Sequence, residues 1–323
     1  MNSIVRTGVL SLVLFSLVAC TVGQDYVRPA VDSPATWRID YAAAAETANT
    51  RWWELFDDPV LDVLINTALR ENKDVRIAAA RVDEFAARVD ISRSGFYPQL
   101  GYDGEGSRNR ASRESFGGVP SGDRTYSNYS IAANLSWELD LWGRIRRATE
   151  ASRAELLAQE ENRRAVILSL VSAVATSYVT LRQFDRQLEV SLETLQTRSE
   201  SLELFRIKFK GGVVSKREVA QVRTEFDQAA AAIPPLERQI ALAENALSIL
   251  LGRNPGDVPR GRTIDELAMP DVPGGVPAQL LERRPDIRAA EQSLIAADAR
   301  IDVARAQYFP TISLTGLFGY ASD

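Results

Sequence analysis

The sequence contains no histidine, one cysteine and two methionines in 323 residues. Without histidine, acid–base catalysis would fall to carboxylates, lysine or tyrosine alone. A single cysteine excludes an internal disulfide and the thiolate clusters that hold zinc or iron–sulfur centres. Clustered positive charge is lacking too. The 38 Lys and Arg against 43 Asp and Glu give a net charge of −5, the wrong sign for a nucleic-acid partner. No catalytic residue, metal site or cofactor is expected. At 45% hydrophobic and 25% charged, the chain can still bury a core.

Glycine and proline are absent from residues 144–210, where Ala, Leu, Glu, Gln and Arg dominate. One helix over 143–210 is predicted, roughly 100 Å long at 1.5 Å per residue. Residues 165–181 are apolar enough to suggest a membrane span, but Ser169, Ser172, Thr176 and Ser177 interrupt them and Arg182 closes them. They read as a helix buried against other helices. Gly211 can take the left-handed conformation that ends a helix. Ser215 and Glu218 form a capping box for the next, with Val214 and Val219 spaced as a hydrophobic staple. The return helix, 215–251, contains Pro234-Pro235 and is expected as two stacked segments.

Ahead of the long helix, Leu61, Leu64, Ile65, Ala68 and Leu69 recur at helical spacing, predicting a helix over 60–93 that Pro98 ends. Between 99 and 141 the period becomes two, predicting two strands. Tyr129, Ile131, Ala133, Leu135, Trp137, Leu139 and Leu141 alternate with Ser130, Ala132, Asn134, Ser136, Glu138 and Asp140. One face is apolar and aromatic, the other polar and acidic, the pattern of a barrel strand between lipid and water. About 13 residues at 3.3 Å each reach roughly 43 Å, enough to cross a tilted span. The polar Gly- and Ser-rich segment 111–125 reads as a hairpin loop.

At the amino terminus Arg6 precedes an apolar run over 9–19 that is too short for an anchor helix and reads as a signal peptide, 1–19. It meets Leu17-Val18-Ala19-Cys20, which resembles a bacterial lipobox, so Cys20 is the expected lipidation site, followed by a lipidated arm over 20–59. Thr21 rather than Asp follows the cysteine, which favours the outer membrane. The alternative is an ordinary signal peptide with a chance cysteine.

The chain also repeats itself. Placing 71–100 over 283–312, a shift of 212 residues, matches Asp74 with Asp286, Arg76 with Arg288, Ala78 with Ala290 and Arg88 with Arg300. Asp90 with Asp302, Arg93 with Arg305 and Pro98 with Pro310 also fall into register, each proline following an aromatic pair. The first repeat covers 60–251, a Gly- and Pro-rich connector 252–278, and the start of a second repeat, one helix and one strand, 279–323.

Four segments together resemble the TolC superfamily, and within it the OprM- and NodT-type outer-membrane lipoproteins. They are residues 20–29, 52–61, 280–286 and Leu135-Ser136-Trp137-Glu138-Leu139-Asp140-Leu141-Trp142-Gly143-Arg144. Gln24 departs from the proline usual at its place. The resemblance implies a mainly α fold with membrane β: a long α-helical hairpin barrel plus trans-outer-membrane β-barrel strands. It implies a homotrimer with four strands per complete protomer, acting as the outer-membrane duct of a tripartite, RND-type efflux pump beside a periplasmic membrane-fusion adaptor and an inner-membrane transporter. It places the adaptor-contacting tip at Lys210, Gly211, Gly212, Val213, Val214, Ser215 and Lys216.

Glu138 and Asp140, with Asp103 and Glu105, are expected to face the lumen and favour cations, or only to keep the wall wet. Three strands per protomer would make about nine, so this chain alone is expected to form no closed pore. Arg144, Arg146 and Arg147 read as the start of a solvated helix face, with lipid headgroup contact as the alternative. Two other readings stay open: a non-conducting structural envelope lipoprotein, or an inactive fragment of a duct. A carboxylate hydrolase lacks any Gly-flanked nucleophile.

Overall fold

The structure, a computed structural model, describes residues 22–29, 51–110, 125–268 and 283–322. The expected signal peptide and Cys20 lie outside the described residues. A short 3-10 helix, Trp52–Phe56, precedes α1 (Pro59–Glu71), α2 (Lys73–Ser94), β1 (Gln99–Arg110), β2 (Thr125–Leu139), α3 (Arg144–Lys210), α4 (Lys216–Leu250), α5 (Pro285–Ala306) and β3 (Ile312–Ser322). The described residues divide into two compact units: one holds the strands, with residues 22–29, 82–110, 125–160 and 288–322, the other residues 51–81, 161–268 and 283–287.

The second unit has an aliphatic core. Leu61, Leu64, Ile65 and Ala68 of α1 bury one stripe against Leu170, Val171, Val174, Tyr178 and Leu181 of α3 and Leu247 of α4, with Trp52, Trp53 and Phe56 packed at the margin. α3 is the one described helix apolar and long enough to cross a membrane. Leu170, Val171, Val174, Tyr178 and Leu181 face this core, while Leu168, Ser169, Ser172 and Thr176 are exposed, so one side of the apolar stretch is buried against other helices.

Beneath that core lies a buried polar knot. Asp58 caps α1, accepting from Val60 N at 2.8 Å and Leu61 N at 3.4 Å, and Pro59 follows where no N–H is needed. Its other oxygen accepts from the Tyr178 hydroxyl at 2.7 Å and from Arg262 N at 3.1 Å. Tyr178 in turn accepts from Gly261 N at 2.9 Å, and burial together with Asp58 pushes its phenol pKa well up. A Cβ on Gly261 would run into the Asp58 carboxylate. The stretch after α4 is therefore strapped down: Arg182 Nε donates to Arg262 O at 2.8 Å, and Arg260 pairs with Asp185 at 3.1 Å and with Glu244.

Three local expectations change. The helix expected over 60–93 is two helices, because Asn72 is extended (ψ 134°) and its side chain accepts from Asp74 N at 2.8 Å and Val75 N at 3.2 Å. Asn72 Nδ2 also donates to Leu250 O at 2.9 Å, so the break is fixed by a contact remote in sequence. The return helix is continuous through Pro234 and Pro235: proline's φ is helical, and α4 forgoes the two N–H groups without unwinding. The left-handed residue after α3 is Gly212 (φ 72°), not Gly211. Gly212 N donates to Phe209 O at 3.0 Å and Val213 N to Lys208 O at 2.9 Å, the doubled closure of a Schellman turn, one residue later than the first glycine.

The duplication is visible in the fold: shifted by 212 residues, the limits of α2 fall on those of α5, and β1 falls on β3.

Candidate functional site

The three strands form one antiparallel sheet in the order β1-β2-β3. In β2, Ala133 lies opposite Tyr102 of β1 and Phe318 of β3, Ile131 opposite Gly104 and Tyr320, and Trp137 opposite Leu314. One side of the sheet therefore carries Leu100, Tyr102, Ile131, Leu135, Trp137, Leu314, Phe318 and Tyr320. The other carries Asp103, Glu105, Asn128, Ser130, Asn134, Ser136, Glu138 and Thr315, with Tyr126 and Leu317 as its large aromatic and apolar side chains. Tyr102 is 90% exposed, Leu100 80% and Phe318 75%, so these side chains have no cover among the described residues, while Leu135 and Trp137 are half-buried. Such a side is compatible with acyl chains and not with water.

The polar side is built by pairing. Asn134 donates to Asp103 at 2.5 Å across the β1–β2 pair. Glu138 holds Arg144 in a two-pronged bond, 2.8 and 2.7 Å, fixing the end of β2 to the start of α3. Asp140 lies past the end of β2, so strand alternation does not orient it. Its carboxylate accepts from Ile145 N and Arg146 N, both at 2.9 Å, and closes the N-terminus of α3, where donors lack intrahelical partners.

Of the three arginines expected on a solvated face, Arg146 is exposed and Arg144 half-buried, but Arg147 is buried. Arg146 pairs with Asp140, and Arg147 is 7% exposed between Asp25, Glu150 and Asp302. Nothing in the sequence singled out Asp302 as that partner except its match to Asp90 in the repeat.

Aromatic side chains close the strand–helix junction. Trp137 Nε1 donates to Phe96 O at 3.0 Å and Trp142 Nε1 to Pro310 O at 2.8 Å, and Trp142 stacks on Phe309 with centroids 4.8 Å apart. The two aromatic-Pro motifs of the repeat thus each receive one indole. The segment 22–29 lies along this junction: Val22 N donates to Trp142 O at 3.2 Å, Asp25 pairs with Arg147 at 2.9 Å and Arg28 with Glu291 at 2.7 Å.

At the far end of α3, Lys210, Gly211, Gly212, Val213, Ser215 and Lys216 are exposed, while Val214 and Val219 are half-buried. Ser215 N donates to Glu218 at 2.7 Å and Glu218 N to Ser215 Oγ at 3.3 Å, the reciprocal capping box that the spacing predicted. The backbone N–H of Ser215 holds the Glu218 carboxyl below the usual carboxylate range.

Comparison with known proteins fits this geometry. A family model described as outer membrane efflux protein matches residues 64–253 and 276–323. The solvent efflux pump outer membrane protein SrpC of Pseudomonas putida is 39% identical, covering 97% of this chain and 68% of its own length. The cation efflux system protein CusC of Escherichia coli is 34% identical over 96% of this chain and 67% of its own. The crystal structure of the CmeC outer membrane channel of Campylobacter jejuni superposes with a TM-score of 0.82 at 25% identity, over 94% of this chain and 66% of that one. The chain belongs to the outer membrane efflux protein family, as an outer membrane factor of the TolC superfamily.

Proposed function

We propose that this chain is the outer-membrane duct of a tripartite, RND-type efflux pump and conducts drugs or other small molecules passively from periplasm to exterior. The observation that carries this is the sheet whose apolar side is uncovered and whose other side is acidic and amidic, ending directly in a 67-residue helix. Conduction needs no catalysis, since the energy enters at the inner-membrane partner. SrpC and CusC are named for cargoes as different as solvents and cations. A shared duct architecture that serves both supports selection of substrate elsewhere in the pump.

In this reading the protein is a homotrimer. Cys20 carries the lipid, and several acyl chains at about 0.8 kcal/mol per buried CH₂ hold it in the outer membrane. The tip at Lys210, Gly211, Gly212, Val213, Val214, Ser215 and Lys216 meets the membrane-fusion adaptor. Asp103, Glu105 and Glu138 line the water-filled side and favour cations; Asp140, engaged as a helix cap, leaves that set. The test is expression with a cognate adaptor and transporter in a Gram-negative host that lacks its own outer-membrane factor. Accumulation of a fluorescent hydrophobic dye should fall, and unchanged accumulation in cells that insert the protein would overturn the proposal. Radiolabelled palmitate should enter the wild type and not Cys20→Ala.

A further inference from the structure

Charge is sorted completely between the two sides of the sheet. All three carboxylates of the strands, Asp103, Glu105 and Glu138, stand on the polar side, and both arginines, Arg108 and Arg110, stand on the apolar side. Neighbouring contacts fix this alternation along the last turns of β1: Asn109 Nδ2 donates to Ser107 Oγ at 3.2 Å on the polar side, and a Cβ on Gly106 would meet the Tyr129 ring on the other. Arg108 and Arg110 are exposed and have no ion-pair partner among the described residues. Residues 111–124, between β1 and β2, contain two arginines and two carboxylates and so add no net charge.

The two arginines sit at the end of the sheet away from α2 and α3. Arg108 lies opposite Ser127, ten residues along β2 from Trp137. At 3.3 Å per residue and a tilt of about 40°, that separation is roughly 25 Å of height, the full height of an apolar barrel band, so the guanidinium reaches the headgroup level. Just below it the apolar side is hollow. Gly104 and Gly106 form the floor of an open groove of about 410 Å³ walled by Tyr129, Ile131 and Tyr320. A Cβ on Gly104 would meet nothing within 4 Å, so the missing side chain is not explained by crowding within the sheet.

We propose that Arg108, Arg110 and the groove beneath them bind a phosphorylated glycolipid of the outer leaflet, with guanidinium groups on its phosphates and an acyl chain over Gly104 and Gly106. The planar fork of arginine matches phosphate oxygens two at a time. Two arginines at alternate strand positions stand about 7 Å apart on one side, near enough to engage a single headgroup together. A free anion would use the arginines and leave the groove empty, and an uncharged lipid would do the reverse. A lipid with an anionic headgroup uses both, and the absence of any strand carboxylate on this side leaves nothing to repel it. The proposal rests on the duct reading for the direction of the sheet, which sets the β1–β2 connection outward.

The test titrates the full chain in mild detergent with purified bis-phosphorylated lipid A and with the same lipid stripped of both phosphates, binding being read by native mass spectrometry. The wild type should bind the phosphorylated form about thirtyfold more tightly, the combined effect of two cations near a headgroup. Arg108→Gln with Arg110→Gln should abolish that preference, while Arg76→Gln, an exposed arginine of α2, should leave it intact. Gly104→Leu should fill the groove and weaken both lipids alike at an unchanged melting temperature. Millimolar inorganic phosphate should not displace the lipid. A preference that survives the double substitution, disappears equally with Arg76→Gln or yields to free phosphate would overturn the proposal, as would lipid binding indifferent to Gly104→Leu. Dye export by the wild-type chain separates this site from the duct reading: export without phosphate-dependent binding overturns the site alone, and phosphate-dependent binding without export supports the site and counts against the duct.

Discussion

Among residues 51–81 and 161–268 the largest fully buried side chains are Tyr178, Leu61, Ile65, Leu181, Leu247 and Leu251; among 82–160 and 288–322 the buried apolar side chains are Val89, Ile145 and a set of alanines. The first region is sealed by branched and aromatic volume and tied with buried hydrogen bonds. The second brings helices together through small residues and leaves the strand faces bare, down to every residue of β3. The difference teaches where each region finds its stability. One completes its core among the described residues, and the other leaves its largest apolar surfaces uncovered by them.

That contrast can be broken by substitution. The largest effect is expected from Leu181→Ala, which opens a cavity in the complete core and should destabilise the protein by about 4 kcal/mol, whereas Ala299→Gly on α5 should cost about 1 kcal/mol. Chemical denaturation in detergent, followed by tryptophan fluorescence, would measure both. Near-equal losses would show that the alanine region carries a comparable core.

The bare strand faces give the next test. Ala132 and Ala133 are neighbours of one residue type on opposite sides of β2. Arginine at 133 should cost about 3 kcal/mol of insertion free energy, while arginine at 132 should cost close to nothing. Refolding titrations into lipid vesicles compare them, and a larger penalty at 132 would reverse the assignment of the lipid side.

A smaller effect, about 2 kcal/mol, is expected for Tyr178→Phe, which leaves Gly261 N without its acceptor and removes one donor from Asp58. Thermal melts in detergent would show it. Least of all, Ser215→Ala at the exposed tip should cost about 1 kcal/mol. The tip is also acid-sensitive. Because the Glu218 carboxyl is held below its ordinary value, its contribution is present above that value and is lost as pH falls through the folded pKa. Hydrogen exchange at the tip amides should therefore accelerate under acid before the amides around Leu61 do.

Much of this was readable in the residues. The glycine-free stretch gave α3, the two-residue period gave β2, and Ser215 with Glu218 gave the turn, because each depends on neighbours within a few positions. Asn72 was not readable as a break, since a lone asparagine inside a helical pattern gains its meaning from Leu250 O, 178 residues away. The three arginines after Gly143 looked like surface, and Arg147 is buried because Asp302 and Asp25 arrive from both ends of the chain. Asp140 fitted the strand's alternation in sequence, but the strand stops at Leu139 and the α3 N-terminus claims the carboxylate.

The sequence by itself determined the long helix and its closing turn, the duplication and the two-faced character of the strands, since periodicity and local capping act over a few residues. Only the tertiary structure decided which copy of a duplicated residue is buried: Asp90 and Asp302 are the same residue in the same helical context, and one is exposed while the other is 2% exposed. Identical local chemistry cannot distinguish them; what does is which side of each helix faces α3, Asp302 meeting Arg147 while α2 meets α3 through Ser92, a fact of packing and not of pattern.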